Sequence, residues 1–380
     1  MKYMWMLIFT LLPLLGIIYI SWHVWVLLPW SPLWKLLVLL LGIGAFLLMF
    51  VNFSGTHDRL PMWVATATYE IGNSMLFIML YLTILFLVLD LGRLVHLVPK
   101  TLIVHNGLTA AGIAVLIFGL FLYGNLHYKD KKRVELQLTT DKPLPHDYRV
   151  VMVSDLHLGY HNRRAELSRW IGLFLSEKPD FIVIAGDIID KSIRPLVEDD
   201  MAAEFRRIGC PIYACPGNHD YFSGLPKARQ FYKEANIRLL SDEAVMIDSC
   251  ITIIGRDDRM NRHRKSLDDL MASSSLLGRG QGETFSVLLD HQPYDLERTE
   301  RAGIDFQFSG HTHRGQVWPI SWITDAVYEC SWGSYQRGNT QYYVSSGIGI
   351  WGGKFRIGTQ SEYIVATIKS EKVKKLNNRR

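Results

Sequence analysis

The sequence predicts an N-terminal four-helix transmembrane region followed by an α/β domain. Four long uncharged apolar runs lie before residue 129, and from residue 148 short apolar segments alternate with helical patterns. The chain has 380 residues, of which 49% are hydrophobic. A chain of this length and composition is sufficient for more than one folded unit.

The four apolar runs are each close to the ~20 residues that a helix needs to cross the hydrocarbon core of a bilayer. They cover about Met6 to Leu28, Leu36 to Phe53, Ile71 to Leu89 and Leu108 to Tyr123. Core helices of a soluble domain usually have a polar face, and these runs have almost none. We therefore expect residues 1–128 to form a four-span anchor whose partner is the lipid bilayer.

Lysine and arginine residues beside the runs predict the orientation in the membrane. With four spans, the segment before the first span, the loop between the second and third spans and the segment after the fourth span lie on one side of the membrane. That side has six such residues: Lys2, Arg59, Lys129, Lys131, Lys132 and Arg133. The other side has three: Lys35, Arg93 and Lys100. Because cytoplasmic loops carry the excess of basic residues, we expect a multi-pass protein of the cell (inner) membrane with a cytoplasmic C-terminal domain. The four cysteines of that domain form no CxxC pair, which suits a reducing compartment.

Two basic segments flank this domain, which is expected to span residues 146–370. Residues 129–145, KDKKRVELQLTTDKPLP, are predicted to be a juxtamembrane linker, and residues 371–380 a basic tail. Nucleic-acid binding requires basic residues interleaved with aromatic ones on a folded face, and neither segment has them. No nucleic-acid partner is expected.

From residue 148 the pattern is strand, helix, strand, helix, strand. RVVMVSD ends at Asp155, DFIVIAGD ends at Asp187, and PIYAC ends at Cys215 just before GNHD. Helical periodicity covers about residues 163–177 and 197–208. These are βαβαβ units, in which functional groups collect at the carboxyl ends of the strands.

Five predicted strand ends carry aspartate, asparagine or histidine. The segments are SDLHLG, AGD, GNHD, FSVLLDH and FSGHTH. An aspartate after one strand is also a common helix cap, so each segment alone is weak. Five together indicate a metal site.

This order of motifs, DxH, GD, GNHD, a lone His and GHTH, resembles the calcineurin-like metallophosphoesterase superfamily over about Tyr148 to Ile368. The later run YYVSSGIGIWGGKFRIG is similar to membrane-associated bacterial members of the YkuE type. The resemblance implies a metallophosphoesterase β-sandwich flanked by helices (αββα), with two divalent metal ions at one sheet edge.

The resemblance also implies the ligand set. The first metal would be held by Asp155, His157 and His313, the second by Asn218, His291 and His311, with Asp187 bridging both. Mixed nitrogen and oxygen ligands suit Mn, Fe or Zn, and manganese is the first expectation. His219 would be the unliganded, catalytic imidazole beside the phosphate.

Four further residues have two interpretations each. Arg314 follows GHTH where many relatives have glycine, and it either binds the substrate or is a solvated loop residue; Arg356 raises the same question. Asp190 and Asp220 are either partners of the ligand imidazoles or, respectively, a helix cap and a turn residue.

The expected function is a membrane-anchored dinuclear-metal phosphohydrolase that cleaves a phosphoester or pyrophosphate bond by attack of a metal-bridging hydroxide. Anchoring and the resemblance suggest a phospholipid or lipid-linked pyrophosphate as substrate. One alternative is a phosphodiesterase or phosphatase acting on soluble nucleotides or phosphoproteins. A non-catalytic membrane sensor or scaffold would have a damaged ligand set, and a transporter would have charged residues along its spans; neither is evident.

Overall fold

The computed structural model describes residues 2–52, 54–274 and 283–371, without the side chains of residues 2–10, 273 and 274. The chain forms two compact units. The first, here called the helical unit, comprises residues 1–126 and 352–355. The second, the sheet unit, comprises residues 127–351 and 356–380.

The four apolar runs of the sequence are helices: α1 (Lys2–Leu27), α2 (Pro32–Val51), α3 (Met62–Leu94) and α4 (Gly107–Lys129). Three of them, α2, α3 and α4, are long and apolar enough to cross a membrane. In α1 the described apolar part is shorter, Leu11–Leu27. The last three residues of α4 belong to the sheet unit.

The helical unit has a small apolar core and a few internal polar contacts. Asp90 of α3 accepts a hydrogen bond from the Tyr19 hydroxyl at 2.7 Å and lies 3.0 Å from His23 Nε2. In the returning segment, the Phe355 ring lies 4.7 Å from that of Phe121. The large apolar side chains of α2 and α4 are mostly exposed, which fits helices surrounded by lipid.

The sheet unit contains two six-stranded sheets. In chain order the strands are β1 (Lys131–Thr140), β2 (Tyr148–Val153), β3 (Phe181–Ala185), β4 (Ile212–Cys215), β5 (Ile237–Leu239), β6 (Glu243–Ile247), β7 (Ile251–Gly255), β8 (Phe285–Leu289), β9 (Phe306–Ser309), β10 (Gly333–Arg337), β11 (Thr340–Val344) and β12 (Ser361–Ser370). The helices are α5 (Arg164–Ser176), α6 (Arg194–Glu198), α7 (Ala202–Phe205), α8 (Asn218–Phe222), α9 (Leu225–Glu234), α10 (Leu267–Ser274), α11 (Leu296–Arg301) and α12 (Ile320–Val327).

The first sheet has the order β1-β12-β2-β3-β4-β5, and the second has the order β10-β11-β9-β8-β7-β6. Strands β2 to β5 are parallel to one another, as are β7, β8, β9 and β11. Because the sequence alternates faces along each strand, Met152 and Val183 of the first sheet meet Ile253 and Phe308 of the second in one core.

Helices cover the outer faces of the two sheets. Leu167 and Phe174 of α5 pack with Val151 and Ile182 on the first sheet. On the second sheet, α10 packs on Ile254 and Leu288. The predicted combination of an apolar helical region with a helix-flanked two-sheet α/β domain is confirmed.

The structure differs from the expectation at residues 129–145, where a linker was predicted. Residues 131–140 form β1, which pairs in parallel with β12 along its whole length. Val134, Leu136 and Leu138 alternate with polar residues, a period of two that is typical of a strand, but the dense charge obscures it. The predicted helix at about 197–208 is instead the two short helices α6 and α7. The predicted basic tail lies, from residue 372 onward, outside the described residues.

Candidate metal centre

The predicted site residues lie where parallel strands of both sheets end. Asp155 and His157 follow β2, Asp187 follows β3, and Asn218 and His219 begin α8 after β4. On the second sheet His291 follows β8, and His311 and His313 follow β9. Carboxyl ends of neighbouring parallel strands lie at one edge of a sheet, so the order of the strands brings these side chains together.

Asp155, His157 and His313 form a first group whose donor atoms all lie within 4.8 Å of one another. The two imidazole Nε2 atoms, of His157 and His313, are 3.1 Å apart. Asp155 Oδ1 is 3.5 Å from His313 Nε2 and 3.9 Å from His157 Nε2. This is the set predicted for the first metal.

A second group surrounds Asn218. Its Oδ1 is 3.2 Å from His291 Nε2 and 2.9 Å from His311 Nδ1. Asp187 Oδ2 is 3.1 Å from His291 Nε2 and 3.7 Å from His157 Nε2, a member of the first group. The Asp187 carboxylate therefore lies between the two groups, where the prediction of a bridging ligand puts it.

The backbone at this edge is strained. Five of the seven predicted ligands have positive φ: Asp155, His157, Asp187, His311 and His313. Each such residue costs of order 1–3 kcal/mol, and such strain is typical of functional sites. Close approach adds a further constraint, because a Cβ on Gly186 (φ +78°) would lie 2.5 Å from His291 Nδ1.

Two of the ligand imidazoles, His291 and His157, have a polar partner near their second nitrogen. His291 Nδ1 donates to the Ala185 carbonyl at 2.8 Å, which leaves Nε2 for a metal. Asp190 Oδ1 lies 3.3 Å from His157 Nδ1 and 3.1 Å from His219 Nδ1. Asp190 is thus an imidazole partner, and of its two interpretations this is the one with observed contacts.

Asp220 organises backbone turns. Its carboxylate accepts hydrogen bonds from the amides of Gly217 at 2.8 Å, Asp187 at 3.1 Å and Ile189 at 3.1 Å. The Tyr232 hydroxyl donates to the same carboxylate. Of the two interpretations of Asp220, the turn residue has the observed contacts.

The main chain around His157 is held by a buried asparagine. Asn162 Nδ2 donates to the carbonyls of Leu156 at 3.1 Å and His157 at 3.2 Å. Asn162 Oδ1 accepts in turn from the Tyr128 hydroxyl at 2.8 Å. Tyr128 lies in the last turn of α4, within the sheet unit, and both side chains are fully buried.

Arg356 is fully buried and supports the main chain around His313. Its guanidinium donates to the His313 carbonyl at 2.7 Å, to the Ser346 carbonyl, and to Ser361 Oγ at 3.1 Å. These contacts favour a structural role over contact with a substrate anion.

The electrostatics of the groups fit divalent cations. Burial lowers the pKa of His311 to about 3 and that of His313 well below its usual value. Burial alone would raise the pKa of Asp187, but the neighbouring imidazoles, His291 foremost, lower it. Burial would lower the pKa of His291, but the negative charge of Asp187 stabilises the protonated imidazole and raises its pKa well above the usual value. Neutral imidazoles and ionised carboxylates are the forms that bind a metal ion, and the shifts favour these forms for His311, His313 and Asp187.

His219 is buried beside both groups and contacts aromatic rings. Burial lowers the pKa of His219, but the carboxylates of Asp187 and Asp190 more than offset this and raise it to about 9. Its ring lies 5.2 Å from that of Phe222 and 6.5 Å from that of Trp351. His219, Asp187 and His157 also lie close enough to form a third potential ligand group.

Arg314 lies directly after His313, at a φ of +49°. Its guanidinium carbon is 4.1 Å from the centre of the Trp332 ring. This stacking holds a cation near the site, and substrate binding by Arg314 stays a prediction.

Sequence reasoning missed the supporting roles of Asn162 and Tyr128. Both depend on contacts between distant parts of the chain. For Asp190 the available signal is its position three residues after Asp187, in GDIID, next to a ligand motif.

Residues 148–315 match the family described as calcineurin-like phosphoesterase. A metallophosphoesterase of Bacillus subtilis, YkuE, is 30% identical over 65% of this chain and 90% of its own length. One from Aquifex aeolicus is 29% identical over 63% of this chain and 92% of its own. A transmembrane protein with a metallophosphoesterase domain from Danio rerio is 25% identical over 87% of this chain and 79% of its own. The chain therefore belongs to the calcineurin-like phosphoesterase family and is a metal-dependent phosphoesterase.

Proposed function

We propose that this protein is a membrane-anchored phosphohydrolase with a dinuclear metal centre. One observation carries the proposal: seven donor atoms from five strand ends converge in two groups that share the Asp187 carboxylate. Asp155, His157 and His313 hold one ion in this proposal, and Asn218, His291 and His311 hold the other.

The charge of the ligand set favours an anionic substrate. Two divalent ions carry four positive charges, and only Asp155 and Asp187 among the ligands are anionic. A pair of divalent ions held by these residues would supply Lewis-acid chemistry: it would lower the pKa of water and neutralise charge on the phosphoryl oxygens. Manganese is the first candidate, with iron and zinc as the others.

His219 acts as the proton donor in this proposal. Its Nδ1 donates to the Asp190 carbonyl at 2.9 Å and lies 3.1 Å from Asp190 Oδ1, so Nε2 is the atom that carries a proton to the leaving oxygen. In the metal-free protein the carboxylates of Asp187 and Asp190 raise the pKa of His219, which favours the protonated imidazole. General acid catalysis of this kind contributes about 10²–10⁴-fold.

The substrate is proposed to be a phospholipid or a lipid-linked pyrophosphate. Three long apolar helices support a location at the bilayer. Phe222 is 53% exposed although it is a large apolar residue beside His219, and Trp351 also lies near the imidazole. Aromatic rings at this position suit a substrate with an apolar group next to its phosphate.

We further propose four spans in the cell (inner) membrane, with the sheet unit in the cytoplasm. The excess of basic residues on that side supports this orientation. Green fluorescent protein fused after Arg380 should fluoresce and alkaline phosphatase fused there should be inactive. The reverse result would place the sheet unit outside.

The decisive experiment measures loss of substrate from a membrane lipid extract by mass spectrometry. Purified protein is incubated with the extract and either Mn²⁺ or EDTA, beside Asp187→Ala and a matched surface control, Asp268→Ala, whose side chain is exposed on α10. A phosphate- or pyrophosphate-containing lipid consumed only with metal, by wild type and Asp268→Ala but not by Asp187→Ala, is the expected result.

Two other outcomes separate the parts of the proposal. An unchanged lipid extract, together with metal-dependent cleavage of a chromogenic phosphodiester, would contradict the proposal of a lipid substrate. Soluble nucleotides and phosphoproteins would then be the substrates to test. Cleavage by Asp187→Ala at the wild-type rate would contradict the proposed metal centre itself.

A further inference from the structure

Helix α12 (Ile320–Val327) is amphipathic, and its apolar face points outward. Trp322, Ile323 and Val327 are each more than 60% exposed. Ser321, in contrast, is buried, and its carbonyl accepts a hydrogen bond from Thr324 Oγ1 at 2.8 Å. A helix on the surface of a water-soluble domain has the opposite arrangement.

The outward residues form one continuous apolar surface. Ile323 and Val327 are four residues apart and are therefore neighbours on the surface of the helix, and Trp322 directly precedes Ile323. Trp318, just before α12, extends this surface, since its ring lies 5.4 Å from that of Trp322. Exposed apolar patches of this kind mark interaction sites. We refer to Trp318, Trp322, Ile323 and Val327 as the α12 patch.

The lipid bilayer is the occupant that the chain itself indicates. Helix α4 is long and apolar enough to cross a membrane and ends at Lys129, and β1 begins at Lys131. A single residue therefore joins a candidate span to the first strand of the sheet unit, which tethers that unit to the bilayer surface. Tryptophan is enriched at membrane interfaces, and a tryptophan pair beside isoleucine and valine suits the boundary between headgroups and acyl chains.

We propose that the α12 patch lies in the bilayer interface, with α12 parallel to the membrane plane. The contact adds a second attachment to that of the helical unit. It also adjoins the candidate metal centre, because α12 packs against the turn that follows His313: a Cβ on Gly315 would lie 2.5 Å from the Ile320 carbonyl carbon. The proposal does not depend on the reaction proposed above.

Lipid-exposure labelling tests the α12 patch against a matched site. Ile323 and Val197 are aliphatic residues on helices of the sheet unit, and both are 61% exposed. Ile323→Cys and Val197→Cys are made in a Cys210→Ser background, because Cys210 is half-buried and the other three cysteines are buried. The full chain is labelled with bimane and reconstituted in bilayer discs of phosphatidylcholine with or without brominated acyl chains.

We expect brominated lipid to lower the bimane emission at position 323 by about twofold or more and to leave position 197 unchanged, as burial of the apolar face ~5–10 Å into the interface requires. Val327→Cys repeats the measurement at a second position of the patch if Ile323→Cys does not fold. Equal emission in both kinds of lipid at 323 and 327 would overturn the proposal. So would a label that is shielded from aqueous iodide but not quenched by brominated lipid, since a second copy of the chain or another protein would then cover the patch.

Discussion

The helical unit exposes apolar residues of the same types that the sheet unit buries. Leu41 of α2 is 75% exposed and Val115 of α4 is 71% exposed. In the sheet unit Leu167 of α5 is fully buried, and the sheets enclose a common apolar core. The sheet unit gains free energy by removing apolar surface from water, whereas the outer surface of the helices fits a surrounding that is itself apolar.

Two buried histidines, one in each unit, also differ in their expected roles. His219 in the sheet unit and His23 in the helical unit are both buried, each has a carboxylate oxygen about 3 Å from a ring nitrogen, and each contacts a phenylalanine ring. Only His219 has strand-end ligands around it. Similar local chemistry therefore has different expected roles, and the following substitutions test the difference.

Replacement of these two histidines should have the largest and most unequal effect. His219→Ala removes the proton donor and should lower kcat by about 10²–10⁴-fold, with metal content unchanged because His219 is not among the proposed ligands. His23→Ala should leave kcat within about twofold, since the lost contact is local. Turnover of a chromogenic phosphodiester and metal content by mass spectrometry are measured on the same samples. Loss of metal from His219→Ala would indicate that His219 is a metal ligand. Equal losses of kcat in His219→Ala and His23→Ala would contradict the expected difference in role.

Two leucines on helices test where apolar burial stabilises the protein. Leu167→Ala leaves a cavity beneath α5 and should lower the free energy of unfolding of the sheet unit by about 2–5 kcal/mol. Leu41→Ala removes an exposed side chain and should change the free energy of unfolding by less than about 0.5 kcal/mol. Denaturant unfolding in bilayer discs, followed by circular dichroism, provides the measurement. A large effect of Leu41→Ala would mean that this side of α2 packs on protein.

Two exposed valines test what surrounds each unit. An aspartate at the centre of a spanning helix costs about 2.5–3.5 kcal/mol of insertion free energy, so Val115→Asp should reduce the fraction of protein that resists carbonate extraction from membranes. Val197→Asp, on the water-exposed surface of α6, should leave that fraction unchanged, because a surface substitution lies within about ±0.5 kcal/mol. If the two variants behave alike, the exposed face of α4 does not contact lipid.

The sequence predicted well what depends on local pattern. An apolar run that ends in Asp155 or Asp187 is readable without partners, since the strand and its polar end are adjacent in the chain. Strand β1 was missed because Lys131, Lys132 and Arg133 obscure an alternation that becomes clear only when β12 supplies the pairing partner. Amphipathic periodicity alone does not say which face of a helix is covered, and in α12 the exposed face is the apolar one.

The support of the metal ligands was also beyond prediction, because it joins distant positions. Tyr128 and Asn162 are separated by 34 residues, and Arg356 reaches the His313 carbonyl across 43. The local sequence around a buried hydrogen-bonding side chain does not distinguish it from an exposed one, because polar residues near strands have the same kind of neighbours in both cases. These contacts arise only once the sheet order is fixed.

The smallest effect, about 10-fold in metal affinity, tests whether the last turn of α4 supports the candidate metal centre. Tyr128→Phe removes the hydroxyl that holds Asn162, and with it part of the restraint on the strained main chain of His157. Partners outside the ligand shell typically contribute 10–100-fold to metal affinity, and Tyr128 acts one residue further out, so the lower value applies.

Tyr148→Phe is the matched control for Tyr128→Phe, because it removes another buried tyrosine hydroxyl, 2.7 Å from Asp248 and outside the metal centre. Calorimetric titration of the metal-free full chain with Mn²⁺ should show weaker binding for Tyr128→Phe alone, while both variants lose thermal stability because each loses the hydrogen bonds of one tyrosine hydroxyl. Unchanged affinity in Tyr128→Phe would restrict α4 to anchoring. Equal weakening in both variants would attribute the effect to general loss of stability. A change confined to Tyr128→Phe would mean that the last turn of α4, which belongs to the sheet unit, also orders the main chain of a metal ligand.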